Sequence, residues 1–364
     1  MKKEKLNFTN YDIFAFVLTL LISKILTITP TNFIKNASTA SPIVFIIFSF
    51  IIFLIYGYIL KTILRKEYDF FTLIKNTYAN LTCKIICIVF YIYFFINSAL
   101  FTLNIALQLK VMTYILSPLY SIGIYILVGA FLGSYKGFNS LFKIISYIFP
   151  LLIMYISLIF LLGLNFMDIY NFLPILGKGF KESILYNIPS FSMFSPLLLF
   201  LFFTKNNSDA DYIRNKVLFK KIIISFCIIM ILTFIVFLNT MPLKLIATRL
   251  ILLFDINRML SQLPSSQKLE PILILVYSIL SFIYVAFAVL CACMSFEKAN
   301  ITKDYKKYIL PSLIVMGLST FIPITMNTIY KFTNVFSYIT IFICIVFPLF
   351  TVIKYNLKER KNVF

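Results

Sequence analysis

The chain has 364 residues, is 61% hydrophobic with a mean hydropathy of +0.97, and carries a formal net charge of +20 without a single histidine. Soluble domains run nearer ~45–50% apolar, so this composition excludes one. In a soluble protein such an excess of basic residues would suggest a nucleic-acid partner; here its placement along the chain points to a membrane surface instead.

Ten apolar windows follow one another: 13–34, 36–60, 85–109, 111–135, 144–167, 183–204, 222–243, 271–296, 308–330 and 332–353. Each is 22 to 26 residues long and free of Asp, Glu, Lys and Arg, except that the first contains Lys24. A helix needs about 20 apolar residues to cross a hydrocarbon core of roughly 30 Å. The windows are continuous, not alternating, which favours helices over barrel strands. Ten spanning helices in a single polytopic membrane domain over 1–364 are therefore expected. No cleavable signal segment is expected, because 13–34 is too long for one and no small-residue cleavage site follows it.

An even number of spans puts both termini on one side. The links on that side hold 23 of the 33 basic residues, which by the positive-inside rule makes the face cytoplasmic. Topology and anionic lipid account for the charge, and no nucleic acid is needed. Five of the six cysteines lie in the cytoplasmic halves of their expected helices, and there is no CxxC. Neither a disulfide nor a metal site is expected.

Taken in order, the first window reads ISKILTITPTN around Ser23, Lys24, Thr27 and Pro30. Lys24 is about eleven residues from Asp12, roughly 16 Å deep at 1.5 Å per residue, where a charge is costly and marks a candidate site. Its ammonium could meet a ligand carboxylate, cap carbonyls of another broken helix, or stand where a coupling cation sits in related folds. Asn97 is the midpoint of the third window. The link 168–183 leads to the sixth window, YNIPSFSMFSPLLL, in which Pro189 and Pro196 flank Ser190, Ser192 and Ser195. Proline removes a donor and disrupts the preceding turn, while serine can satisfy the freed groups. The link 243–270 mixes leucine and isoleucine with Lys244, Arg249, Asp255 and Arg258, as an amphipathic surface helix does. Asp255 and Arg258 can pair on one face. Tyr284 lies at the centre of the eighth window.

Ten spans divide into five plus five, a first repeat over about 11–167 and a second over about 183–355. An odd-numbered half makes the second repeat inverted, the LeuT-like arrangement of many transporters, in which the first helix of each half is broken at mid-membrane. Helices 1 and 6 would then be the broken ones, and Ser23, Lys24, Thr27, Asn97, Ser192, Ser195 and Tyr284 would surround one ligand pocket. Each of these polar residues alone also reads as interhelical glue. Enzymatic chemistry has no support: there is no His, no intramembrane carboxylate, no Gly-rich phosphate loop and no cofactor motif.

Three segments carry a family resemblance: NFLPILGKG at 171–179, FSMFSPLLLF at 191–200 and ATRLILLFDINRMLSQLPSSQKLEPILILVYSI at 247–279. Through them the chain resembles the B subunits of endospore germinant receptors (the GerAB/GerKB type), relatives of the amino acid–polyamine–organocation transporters. Two departures stand out. Ser195 and Pro196 occupy positions where that family often has Gly and Glu, and Lys24 replaces the small residues usual at the first break. The resemblance implies a receptor subunit in the inner membrane of a spore that binds a small nutrient, an amino acid being the expected class, and signals germination. It implies two partners, a larger membrane subunit and an outer lipoprotein, and assigns Asp255, Arg258 and Glu270 to the outer link. An amino-acid permease of the same fold is the alternative, and a subunit with a vestigial pocket is a third reading.

Overall fold

The first helix, α1 (Asn10–Ser23), begins where the sequence supplies both halves of a capping box. The Thr9 hydroxyl accepts the Asp12 N–H at 3.3 Å, and the Asp12 carboxylate accepts the Thr9 N–H at 2.7 Å. Such a cap is worth about 1 kcal/mol. In this computed structural model, residues 9–363 are described apart from 28, 66–69, 113, 165–166, 175, 178, 204–208, 249–268, 300–303 and 323. Among the described residues all regular structure is helical.

Every residue from Ala15 to Ser23 is buried, so α1 is a core element. The helix ends in a 3₁₀ turn, Lys24–Leu26, after which Thr27 is extended at φ −86°, ψ 175°. Helix then resumes as α2 (Thr29–Ala37), passes a second 3₁₀ turn at Ser38–Ala40, and continues as α3 (Ser41–Arg65). Next come α4 (Phe70–Thr77), α5 (Asn80–Met112), α6 (Leu119–Tyr135) and α7 (Phe138–Gly163). The second half runs through α8 (Phe180–Tyr186), a 3₁₀ segment Ile188–Phe194, α9 (Leu197–Phe203), α10 (Asp209–Thr240) and α11 (Leu243–Thr248). It closes with α12 (Leu269–Lys298), α13 (Ile309–Ser319), α14 (Met326–Ile341), a π turn Phe342–Val346 and α15 (Phe347–Val363).

Six helical runs are long and apolar enough to cross a membrane: Pro30–Ile63, Asn80–Val111, Phe138–Gly163, Ile213–Thr240, Pro271–Lys298 and Met326–Glu359. Asn10–Ser23 and Leu119–Tyr135 are shorter apolar helices. Large apolar side chains such as Phe50, Leu54, Leu132 and Leu151 point outward from these helices, the pattern of a lipid-facing surface. The chain is a membrane protein.

Several boundaries differ from the charge-free windows. The fourth window begins at 111, yet α5 runs to Met112 and α6 starts only at Leu119, after Pro118 as its N-cap. The ninth and tenth windows meet at Lys331, but α14 passes straight through that residue from Met326. Thr325 caps it, accepting the Thr328 N–H, and α13 stops at Ser319. Charge marks where a helix leaves hydrocarbon, not where it ends. At 1.5 Å per residue α13 is only about 17 Å long.

Helix α1 is enclosed by α7, α9, α10 and α12. The most extensive packing is α12 on α5 and α6, and α3 lies along α10. Close approach of α6 depends on glycine: a Cβ at Gly129 would fall 2.6 Å from the Phe282 ring of α12, and one at Gly123 2.6 Å from Thr320.

Candidate functional site

The first and sixth windows, each with proline amid Ser or Thr, are both interrupted. In the first, the Ser23 hydroxyl donates to the Leu20 carbonyl at 2.7 Å and the Thr27 hydroxyl to the Lys24 carbonyl at 2.6 Å. These side chains satisfy backbone acceptors that a continuing helix would have used. In the sixth window, α8 stops at Tyr186 and Pro189 opens a 3₁₀ segment. Pro196 then lacks the N–H that would carry the segment on, and α9 starts at Leu197.

Between these interruptions lies a cavity of about 50 Å³. Its walls hold Lys24 and Thr27 from the first break, Ser192 and Met193 from the second, Asn97, Phe101 and Asn104 from α5, and Thr333, Phe336, Ser337 and Thr340 from α14. The Lys24 ammonium stands 4.6 Å from the centroid of the Tyr284 ring and 5.7 Å from that of Phe101. Those two rings stack at 4.0 Å. Cation–π contacts of this kind contribute about 0.5–2 kcal/mol, which offsets part of the cost of holding the charge at depth. The Asn97 amide donates to the Tyr284 hydroxyl at 2.8 Å, fixing the plane of the ring.

A second cavity of about 260 Å³ shares the walls Thr333 and Ser337 with the first. Asn32 and Asn36 of α2, Tyr186, Pro189 and Ser190 of the sixth window, and Tyr330, Asn334 and Tyr338 of α14 complete it. At the partition the Ser192 hydroxyl donates to the Ser337 hydroxyl at 3.2 Å. Two buried polar atoms, Asn32 Oδ1 and Thr333 Oγ1, have no hydrogen-bond partner; such groups are normally satisfied by water or ligand. Among the described residues no Asp or Glu lines either cavity. The edge of this cavity is held by the end of α8 and the link before it: the Asn36 amide donates to the Tyr186 carbonyl at 2.9 Å, and the Thr39 hydroxyl donates to the Pro174 carbonyl. Gly177 is required there. It sits at φ +56°, and a Cβ would lie 2.5 Å from the Ala37 carbonyl oxygen.

Of the residues expected from sequence to form a pocket, Lys24, Thr27, Asn97 and Ser192 line the inner cavity, with Tyr284 directly behind it. Ser23 is buried beside it, its hydroxyl turned to its own helix. Ser195 is buried one turn beyond Ser192, and its hydroxyl has no partner. Asp255 and Arg258 lie outside the described residues, and Glu270 is in the first turn of α12 with its side chain likewise outside them. Sequence reasoning placed no pocket residue on α14. Tyr330, Thr333, Ser337 and Thr340 fall at helical spacing on one face of this helix, and that polar stripe was the available signal. Asn104, two turns from Asn97, was legible in the same way.

No metal cluster of His, Cys, Asp or Glu occurs among the described residues. The profile of the family described as "Spore germination protein", a spore permease family, matches residues 8–329. No curated protein matches the sequence.

Proposed function

The chain belongs to the spore germination protein family, and on that premise we propose that it is a nutrient-sensing receptor subunit. The ligand is a small molecule with a carboxylate, an amino acid being the class that fits. It enters the larger cavity and presents its carboxylate to Lys24. The observation that carries this reading is the Lys24 ammonium beside a cavity lined by both interrupted segments, with no acidic residue in its walls among the described residues. A lone cation facing a neutral polar cavity is matched by an anionic group. The asparagine, serine and threonine side chains around it offer donors and acceptors for the rest of the ligand.

The proposed architecture is ten crossings in a five-plus-five inverted repeat, with both termini in the cytoplasm and the inner spore membrane as its location. Supporting it, the interrupted segments are the first of each half, and the third, eighth and tenth segments close the cavity between them. In this architecture α6 and α13 are the short crossings, where the bilayer thins locally. Partners would be a larger membrane subunit and an outer lipoprotein that meets the outer link around Asp255, Arg258 and Glu270.

The mechanism follows from the sizes of the cavities. About 50 Å³ accepts water but no amino acid, whereas the vestibule of about 260 Å³ approaches the size of small-ligand sites. Ligand reaches Lys24 only after the Ser192–Ser337 partition opens, so binding favours the open arrangement. A ligand shifts such an equilibrium by its differential affinity for the two states, and partner subunits would read the shift.

Replacing Lys24→Met tests the assignment. Loss of a charge-assisted contact costs about 1.5–3 kcal/mol, or on the order of ten- to hundredfold in affinity. The dose–response of germination should shift to higher nutrient concentration by that factor while the protein still inserts. An unchanged dose–response removes Lys24 from the ligand site. Nutrient uptake by the chain alone in proteoliposomes would instead favour a permease.

A further inference from the structure

A third cavity lies away from the polar ones, between α3 and α10, and has a volume of about 740 Å³. Two stripes at helical spacing line it: Leu54, Gly57, Tyr58 and Lys61 on α3, and Ile213, Lys216, Val217 and Lys220 on α10. Its floor is made by Phe53 and Phe219, whose rings stack at 6.0 Å and 11°. Gly57 opens the groove, since a Cβ there would meet nothing within 4 Å.

The three lysines lie at or beyond the ends of the apolar runs of their helices. Lys61 immediately follows the charge-free run 36–60, and Lys220 comes just before the run 222–243. All three are exposed, and among the described residues no Asp or Glu lines the groove. Ile213 and Val217 lie beyond the run that starts at 222, where headgroups and water replace hydrocarbon, yet they are 63% and 47% exposed. Apolar side chains left bare at that level, interleaved with ammonium groups, call for an occupant that is both anionic and greasy. We propose that this groove is a binding site for one anionic phospholipid. Its phosphate sits among Lys61, Lys216 and Lys220, its glycerol region covers Ile213 and Val217, and an acyl chain descends along Leu54 and Gly57 over Phe53 and Phe219.

The test is thermal unfolding of the purified full chain in neutral-detergent micelles with added phosphatidylglycerol, phosphatidylcholine or glycerol 1-phosphate. Phosphatidylglycerol should raise the midpoint by binding the folded state, and the other two should not. Each lysine contributes roughly fivefold in affinity near a membrane surface. The triple variant K61Q/K216Q/K220Q should therefore need on the order of a hundredfold more phosphatidylglycerol for the same shift. The triple variant K75Q/K84Q/K136Q, which removes equal charge elsewhere, should behave as wild type. G57L puts a side chain into the groove at a position where the Cβ itself meets nothing within 4 Å, and it should weaken the effect with all lysines present, so the proposal stays testable even where the triple variant folds poorly. An equal loss in both triple variants, an undiminished shift in G57L, or a shift with phosphatidylcholine or glycerol 1-phosphate would overturn the lipid site. So would photo-crosslinking from G57C in native membranes that captures a protein chain and not lipid.

Discussion

Asp12 illustrates how one side chain ties a helix end to its neighbour. Burial alone would raise its carboxyl pKa, but the hydroxyl of Ser146 on α7, the Thr9 backbone and hydroxyl, and the nearby Lys143 charge outweigh that, and the net direction is down. A carboxylate depressed in the folded state stabilises it above the ordinary aspartate pKa, and that contribution disappears as pH falls through the depressed value. Asp12→Asn should therefore lower the unfolding midpoint at neutral pH, and the gap from wild type should close in acid. Melting curves at neutral and strongly acidic pH measure this; a gap that widens in acid contradicts the assignment. Lys24 is the opposite case, a charge held at depth by two aromatic faces and by no carboxylate in the walls around it. Its place was legible because a single Lys interrupts an apolar run. The rings of Tyr284 and Phe101 that receive it come from distant parts of the chain, and no local pattern pairs them.

At the level of elements, the interruptions follow from local chemistry. Pro189, Pro196 and the serines between them cannot sustain an α-helix, and the chain adopts 3₁₀ geometry there. The packing of α6 on α12 depends on something the sequence does not advertise. Gly129 receives the Phe282 ring at a distance no Cβ would permit, so Gly129→Val should overpack the contact and destabilise the protein by about 1–3 kcal/mol. Thermal unfolding in detergent reads that effect, and a midpoint equal to wild type would show that Phe282 moves aside freely. The second stripe of the cavity, on α14, escaped notice because Lys331 divides one continuous helix into two apolar windows. Hydropathy reports depth in the membrane, whereas Thr325 and its cap to Thr328 decide where that helix starts.

For the whole molecule, the topology makes a direct prediction. With ten crossings, Lys75 at the end of α4 and Lys181 at the start of α8 face opposite sides. Both are exposed, so Lys75→Cys and Lys181→Cys should react with an impermeant thiol reagent from opposite faces of sealed vesicles. Labelling of both from one face would leave an odd number of the proposed crossings unmade. The six long helices satisfy the length requirement by themselves. The four further crossings of the proposed architecture would use interrupted or short segments, and the two interrupted ones line the cavities together with α2, α5 and α14.

Apolar runs, basic links and proline–serine clusters are local and additive, so the sequence by itself determined that this is a helical membrane protein, which segments are interrupted, and that Lys24 is out of the ordinary. Membrane insertion reads the chain segment by segment, which is why those features survive without knowledge of neighbours. Which polar residues meet is a property of helix packing. Only the tertiary structure placed α14 opposite the broken segments, divided the cavity at Ser192 and Ser337, turned Ser23 away from it, and set two lysine-bearing stripes face to face across an open groove. A helix carries no local record of its rotation about its own axis relative to its neighbours. That rotation is fixed by contacts between residues far apart in the chain, such as Asn97 with Tyr284 and Phe53 with Phe219.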